Sequence, residues 1–212
     1  ARTTRYRLME AWRASHAIDW IMTAHHADDQ LETLVMRLNR GSGIGGLAGV
    51  RAVSGRVIRP LLGERKAMLQ AFVDREGLPY VQDPSNRDRR FDRATLRMAL
   101  SGATWLDAQA ATRSAAALAD AEAAILWSVT QLADQYIRAD GDEWRLVRTD
   151  FPREYLRRLV LHMLMLAGSK PPRGESLDRA LQAAATEHQA SLGDWLLKGG
   201  AIWTLRPAPP RN

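Results

Sequence analysis

The sequence predicts an α/β fold with an incomplete parallel sheet, followed by a mainly α-helical second domain with short hairpins. Three observations carry this reading. Short apolar runs alternate with amphipathic helical stripes over residues 1–100. Residues 104–138 form one long alanine-rich helical stretch, with further helical patterns after it. The charge changes at the same place: residues 1–100 hold 17 basic and 11 acidic side chains, residues 101–212 hold 13 of each. The expected domains are therefore 1–103 and 104–212.

Residues 4–14 place Tyr6, Met9 and Trp12 at helical spacing. Ile18 to Thr23 is apolar almost throughout, as a buried parallel strand is. Residues 29–39 put Leu31, Leu34, Val35 and Leu38 on one stripe, which predicts an amphipathic helix. The run Gly41-Ser42-Gly43-Ile44-Gly45-Gly46 ends that helix and is expected to continue no regular element. Val57 to Leu61 reads as a second strand, although Pro60 stands near its end. Residues 64–76 predict a helix stopped by Gly77 and Pro79, and Tyr80-Val81 a short extended piece before the turn Asp83-Pro84-Ser85-Asn86. In the second half, Asp140-Gly141-Asp142 turns the chain into a strand from Trp144 to Val147. Helices are predicted over 153–167 and 175–189, and a hairpin over Leu192 to Leu205 turning at Lys198-Gly199-Gly200.

Composition narrows the class. The 212 residues are 46% hydrophobic and 25% charged, ordinary for a folded globular chain. No apolar run approaches the roughly 20 residues that span a bilayer. The chain has no cysteine, which excludes a disulfide framework, a thiolate metal site and a cysteine nucleophile. With no secretory h-region, a cytoplasmic location is expected. The net charge is +6, and 27 of the 30 basic residues are arginines. Because the excess sits in residues 1–100, a polyanion or phosphate partner is expected there, set against a merely solvated, arginine-rich surface.

The densest polar cluster is His25-His26-Ala27-Asp28-Asp29-Gln30-Leu31-Glu32-Thr33, at a strand-to-helix junction. In open α/β sheets ligands bind outside the carboxyl ends of the strands, where this junction lies. Asp28 is expected to cap the helix. Asp29 and Glu32, three apart, share a face and suit either Mg²⁺ or an ammonium group. Histidines beside aspartates also permit a metal-dependent phosphohydrolase. A second cluster, Gln82 to Arg93 followed by Arg97, sets five arginines in eleven residues among aspartates. It can be a solvated face or a phosphate clamp, since the guanidinium fork matches phosphate oxygens. Arg93 and Arg97, four apart, share a face and can address one anion.

Taken in order, Thr23 to Thr33, Arg40-Gly41-Ser42-Gly43, Gly46-Leu47-Ala48-Gly49, Ile58-Arg59-Pro60-Leu61-Leu62 and Asp83-Pro84-Ser85-Asn86 resemble the tRNA(Ile)-lysidine synthase family. These are PP-loop ATPases of the adenine-nucleotide alpha-hydrolase-like fold, and the resemblance covers about residues 1–100. It implies ATP and Mg²⁺ as cofactors, and isoleucine tRNA and L-lysine as partners. It also implies a ligase reaction that joins lysine to carbon 2 of the wobble cytidine in a CAU anticodon through an adenylated intermediate. By motif position it implies catalytic roles for Asp29, Glu32, Arg5 and Arg97, and substrate binding by His26, Asp28, Arg90 and Arg93, with Asp29 as a Mg²⁺ ligand. The oligomeric state stays open, a homodimer being one form. Where the family often has Arg-Asn, this chain reads Arg93-Ala94. The family's Ser-Gly-Gly-x-Asp-Ser loop does not occur in these 212 residues. The chain is therefore expected to be a part of such an enzyme, inactive alone. Two rival readings stand beside it: a non-catalytic tRNA-binding module, and the metal-dependent phosphohydrolase.

Overall fold

A computed structural model describes residues 2–81, 92–172 and 174–209. Arg90 and the turn Asp83-Pro84-Ser85-Asn86 lie outside the described residues. The internal contacts divide the chain into two compact units, residues 1–122 and 123–212. No helix among the described residues is long and apolar enough to cross a membrane.

In the first unit, helix α1 (Arg2–Ser15) leads into strand β1 (Ile21–Met22), helix α2 (Ala27–Leu38) and a single helical turn, α3 (Ile44–Leu47). Strands β2 (Val53–Ser54) and β3 (Val57–Ile58), helices α4 (Lys66–Arg75) and α5 (Asp92–Ser101), and the start of α6 (Ala108–Tyr136) follow. The sheet order is β1-β3-β2. β1 and β3 are parallel with Ile21 opposite Val57, as the alternation of elements predicts, and β2 adds an antiparallel edge. The strands are shorter than the sequence suggests. Pro60 has no amide hydrogen to extend the β3 ladder. At the other strand, Ala17 takes φ 52° and the Ile18 amide bonds back to the Arg13 carbonyl, so the chain is still turning out of α1 there. The glycine-rich run departs from expectation: Leu47 and Ala48 donate to the carbonyls of Gly43 and Ile44, closing α3. Glycine lowers helix propensity by only about 1 kcal/mol per residue, and tertiary contacts at the end of the loop outweigh it.

The second unit is built on a five-stranded antiparallel sheet, order β4-β5-β8-β7-β6. Its strands are β4 (Ile137–Asp140), β5 (Glu143–Leu146), β6 (Gln189–Leu192), β7 (Trp195–Lys198) and β8 (Trp203–Pro207). Helices α7 (Arg153–Leu166) and α8 (Gly174–Ala185) pack against it. Leu146, Leu159, Met163, Leu177, Leu197 and Leu205 make a continuous buried core. The helix expected over 175–189 ends at Ala185, because Glu187 turns at φ 61° and Gln189 enters β6. The expected single hairpin is two reversals, one at Gly193-Asp194 and one between Lys198 and Trp203. A Cβ on Gly199 would lie 1.9 Å from the Ala184 carbonyl oxygen, so only glycine lets this turn pass beneath α8.

Candidate functional site

The site begins where β1 ends. The Thr23 amide bonds to the Ile58 carbonyl at 3.1 Å, and three residues later the chain enters α2. His26, in extended backbone, is the N-cap: its Nδ1 accepts from the Asp29 amide at 3.3 Å, and the Asp29 carboxylate accepts from the His26 amide at 3.1 Å. This reciprocal pair satisfies two donors that the helix start would otherwise leave bare. An acceptor Nδ1 puts the ring proton on Nε2, 3.4 Å from an Asp29 oxygen.

The expectation that Asp28 caps this helix is therefore corrected. Asp28 serves a different helix: its Oδ2 accepts from the Lys66 amide at 2.7 Å, at the first turn of α4. The cause is visible in α4 itself. It opens on Arg65 and Lys66, carries no acidic residue in its first turn, and receives no hydrogen bond from the side chain of its own N-cap. Asp28 supplies the negative charge that the helix dipole favours there. Burial of the Asp28 carboxyl opposes ionisation, but the Lys66 amide, the Arg65 guanidinium at 3.3 Å and His26 hold its pKa below the ordinary value.

Across the cluster lies α5, whose Arg93 and Arg97 stand one turn apart. Both reach Glu32, whose side chain is only 5% exposed. Arg97 Nε donates to Oε1 at 2.6 Å and Arg97 Nη2 to Oε2 at 3.0 Å; Arg93 Nε donates to Oε2 at 2.9 Å. Arg93 Nη2 also donates to the Asp29 carbonyl and to Thr33 Oγ1, each at 3.3 Å. The hydrogen bond to Glu32 raises the pKa of Arg97 despite its partial burial. Asp29 Oδ1 lies 3.6 Å and 3.8 Å from the two guanidinium groups, longer than a hydrogen bond.

Asp29, Glu32, Arg93 and Arg97 are thus one constellation, with His26 and Asp28 adjoining it. Arg5 is exposed on α1 and makes no ion pair with this group among the described residues. A cleft of about 440 Å³ opens beside the constellation, lined by Asp28, Glu32, Arg65, Lys66 and Arg97 over a floor of leucines. Among the described residues no three histidine or carboxylate side chains converge as metal ligands.

Three contributors lie outside the residues expected from sequence. Arg65 and Lys66 reach the cleft, and their signal was present: two cations opening a helix oppose its dipole and call for an anion nearby. Gln30, 2% exposed, carries no such signal. Its amide bonds both the carbonyl and the amide of Val50, at 3.1 and 2.7 Å, and pins the end of the glycine-rich loop to α2.

A family model described as a PP-loop domain matches residues 1–103. The chain is 38% identical over 221 residues to a tRNA(Ile)-lysidine synthase of Zymomonas mobilis, covering 100% of this chain and 67% of that protein. It is 40% identical over 220 residues to the enzyme of that name from Novosphingobium aromaticivorans, covering 99% and 67%. A relative from Ruegeria pomeroyi is 39% identical over 210 residues, covering 94% of this chain and 50% of its own length.

Proposed function

Since the chain belongs to the tRNA(Ile)-lysidine synthase family, a family of PP-loop ATPases that modify tRNA, we propose that it serves the ATP-dependent joining of L-lysine to isoleucine tRNA in the cytoplasm. The target is carbon 2 of the wobble cytidine in a CAU anticodon. The oxygen on that carbon first attacks the α-phosphate of ATP, pyrophosphate leaves, and carbon 2 then carries AMP as a good leaving group. The lysine amine then forms the new carbon–nitrogen bond, AMP leaves with the electrons of the bond that breaks, and the amine proton passes to a base.

The observation that carries this reading is the buried Glu32 held between Arg93 and Arg97 beside a cleft with both carboxylates and cations on its wall. Such a wall suits a ligand with charges of both signs. Glu32, with both oxygens engaged, orders the two arginines. Asp29 retains an oxygen at ion-pair distance only, and is the carboxylate we assign to the lysine ammonium, to the released proton or to Mg²⁺ accompanying ATP. Mg²⁺, when bound, neutralises phosphate charge and favours departure of the leaving group. Arg97 and Arg93 are assigned to the phosphates, as guanidinium forks fit them. His26 is assigned to holding Asp29 through their paired cap bonds, Asp28 to the cleft wall, and Arg5 and Arg90 to the polynucleotide.

The test uses the gene product that carries these residues, with isoleucine tRNA, L-lysine and Mg-ATP. Lysidine is read by nucleoside mass spectrometry and AMP by chromatography. Asp29→Asn is expected to lower turnover by about 100-fold or more, the scale of a lost acid–base group. A wild-type protein that binds the tRNA but yields neither AMP nor lysidine would favour the tRNA-binding module instead.

A further inference from the structure

We propose that a second cavity of the first unit, on the far side of α2 from the cleft, is an oxyanion site that receives a phosphate group. This cavity is about 390 Å³ and is lined by Gln30, Arg51, Arg59 and Asp120 together with alanines of α6. It is not the cleft already described. Gln30 is two residues from Glu32, so it stands about 160° round the helix from it.

The two arginines point to the ligand. Arg59 is 8% exposed, and the fold uses one of its N–H groups: Nη1 donates to the Arg51 carbonyl at 2.7 Å. Among the described residues, neither Arg59 Nε nor Arg51 Nη1 has an acceptor, although both are shut away from water. A guanidinium donor in that position has lost its hydration and gained nothing for it, a state that native structures rarely leave unexplained. The neighbouring polar groups do not answer it. Both ends of the Gln30 amide are bonded to Val50, and the Thr112 hydroxyl donates to the Ala108 carbonyl. Asp120 lines the cavity but is exposed, and among the described residues it pairs with neither arginine.

Two cations that line the cavity side by side, neither ion-paired with a carboxylate among the described residues, match the tetrahedral oxygens of a phosphate better than a planar carboxylate, which one fork already saturates. The small side chains of Ala115 and Ala119, one turn apart on α6, leave the opposite wall shallow enough to admit it. The phosphate can belong to a mononucleotide or to an RNA backbone, and the chemistry recognised is the same.

Calorimetric titration of the whole chain with inorganic phosphate and, separately, with a uridine trinucleotide whose only phosphates are diesters distinguishes the sources. Arg51→Gln is expected to weaken binding by about five-fold or more, since it removes one fork. Asp120→Asn is expected to tighten it by about two-fold, since it removes a like charge from an exposed wall without disturbing the core. Arg113→Gln, exposed elsewhere on α6, should leave it unchanged. Binding of phosphate alone assigns the site to a free phosphate or mononucleotide; binding of the trinucleotide alone assigns it to RNA. The proposal is overturned if neither probe binds, or if Arg65→Gln in the other cleft abolishes binding while Arg51→Gln and Asp120→Asn leave it unmoved.

Discussion

Glu32 shows how much one buried carboxylate organises. Its oxygens hold three N–H groups from two arginines, and those arginines are about one-third exposed while Glu32 is not. Glu32→Gln is therefore expected to cost about 1–3 kcal/mol in urea denaturation, because both guanidiniums can turn to water. Replacing Arg93 and Arg97 together by methionine should cost more, about 3–5 kcal/mol, because it strands a charge inside. Equal costs for the two changes would show that the cluster is solvated. Asp28 makes a prediction about pH. Its pKa is lowered in the folded state, so it contributes stability that is complete above its unfolded value, near 3.8, and is lost as pH falls through the folded one. The Asp28→Asn variant should be less stable than wild type at pH 7, and the gap should close below about pH 4 when urea midpoints are followed against pH. A gap that persists at low pH would locate the effect in packing. At this scale the sequence named two pairs, Asp29 with Glu32 and Arg93 with Arg97, because spacings of three and four put side chains on common faces; it did not join the one pair to the other. It misassigned Asp28, since a carboxylate two positions from a helix start can as well serve a helix 38 residues away.

Elements were legible where the pattern is local and long. α2, α4 and α7 lie close to their predicted spans, since each is a local helical pattern followed by a glycine that stops it, Gly41, Gly77 and Gly168. β1 and β3 shrank to two residues each because strand length depends on the partner available, which periodicity does not contain. In α2 the apolar stripe of Leu31, Leu34, Val35 and Leu38 is not its most buried face; Gln30 and Glu32 are buried more deeply. Each of these two polar side chains has its hydrogen-bonding groups satisfied by another element, which is the condition for burying them. The Gln30 clamp leads to a prediction at Gly49, which holds φ +64° and where a Cβ would lie 2.6 Å from Gln30 Oε1. Gly49→Ala should destabilise the first unit by about 1–2 kcal/mol from the left-handed backbone alone. It should also release residues 41–50 to limited proteolysis. If the loop stays protected, the clamp is not what holds it.

The whole molecule carries its charge unevenly, and that asymmetry makes a further prediction. With an excess of six positive charges in residues 1–100 and none afterwards, tRNA affinity should fall steeply with salt. The slope of log affinity against log salt should be about −3 or steeper, corresponding to several neutralised phosphates. A flat dependence would remove the polyanion from the account. By itself, the sequence determined the α/β character of the first hundred residues, the family, the charge asymmetry and the two same-face pairs, Asp29 with Glu32 and Arg93 with Arg97. The family is carried by the resemblance of several motifs in order, and the rest is written in local spacing and composition. The tertiary structure decided which carboxylate is buried, which helix Asp28 serves, that four short hairpin strands and a fifth close into one sheet, and that Arg51 and Arg59 share a cavity wall. Those outcomes depend on which distant donor meets which acceptor once water is excluded, and no spacing along the chain records that.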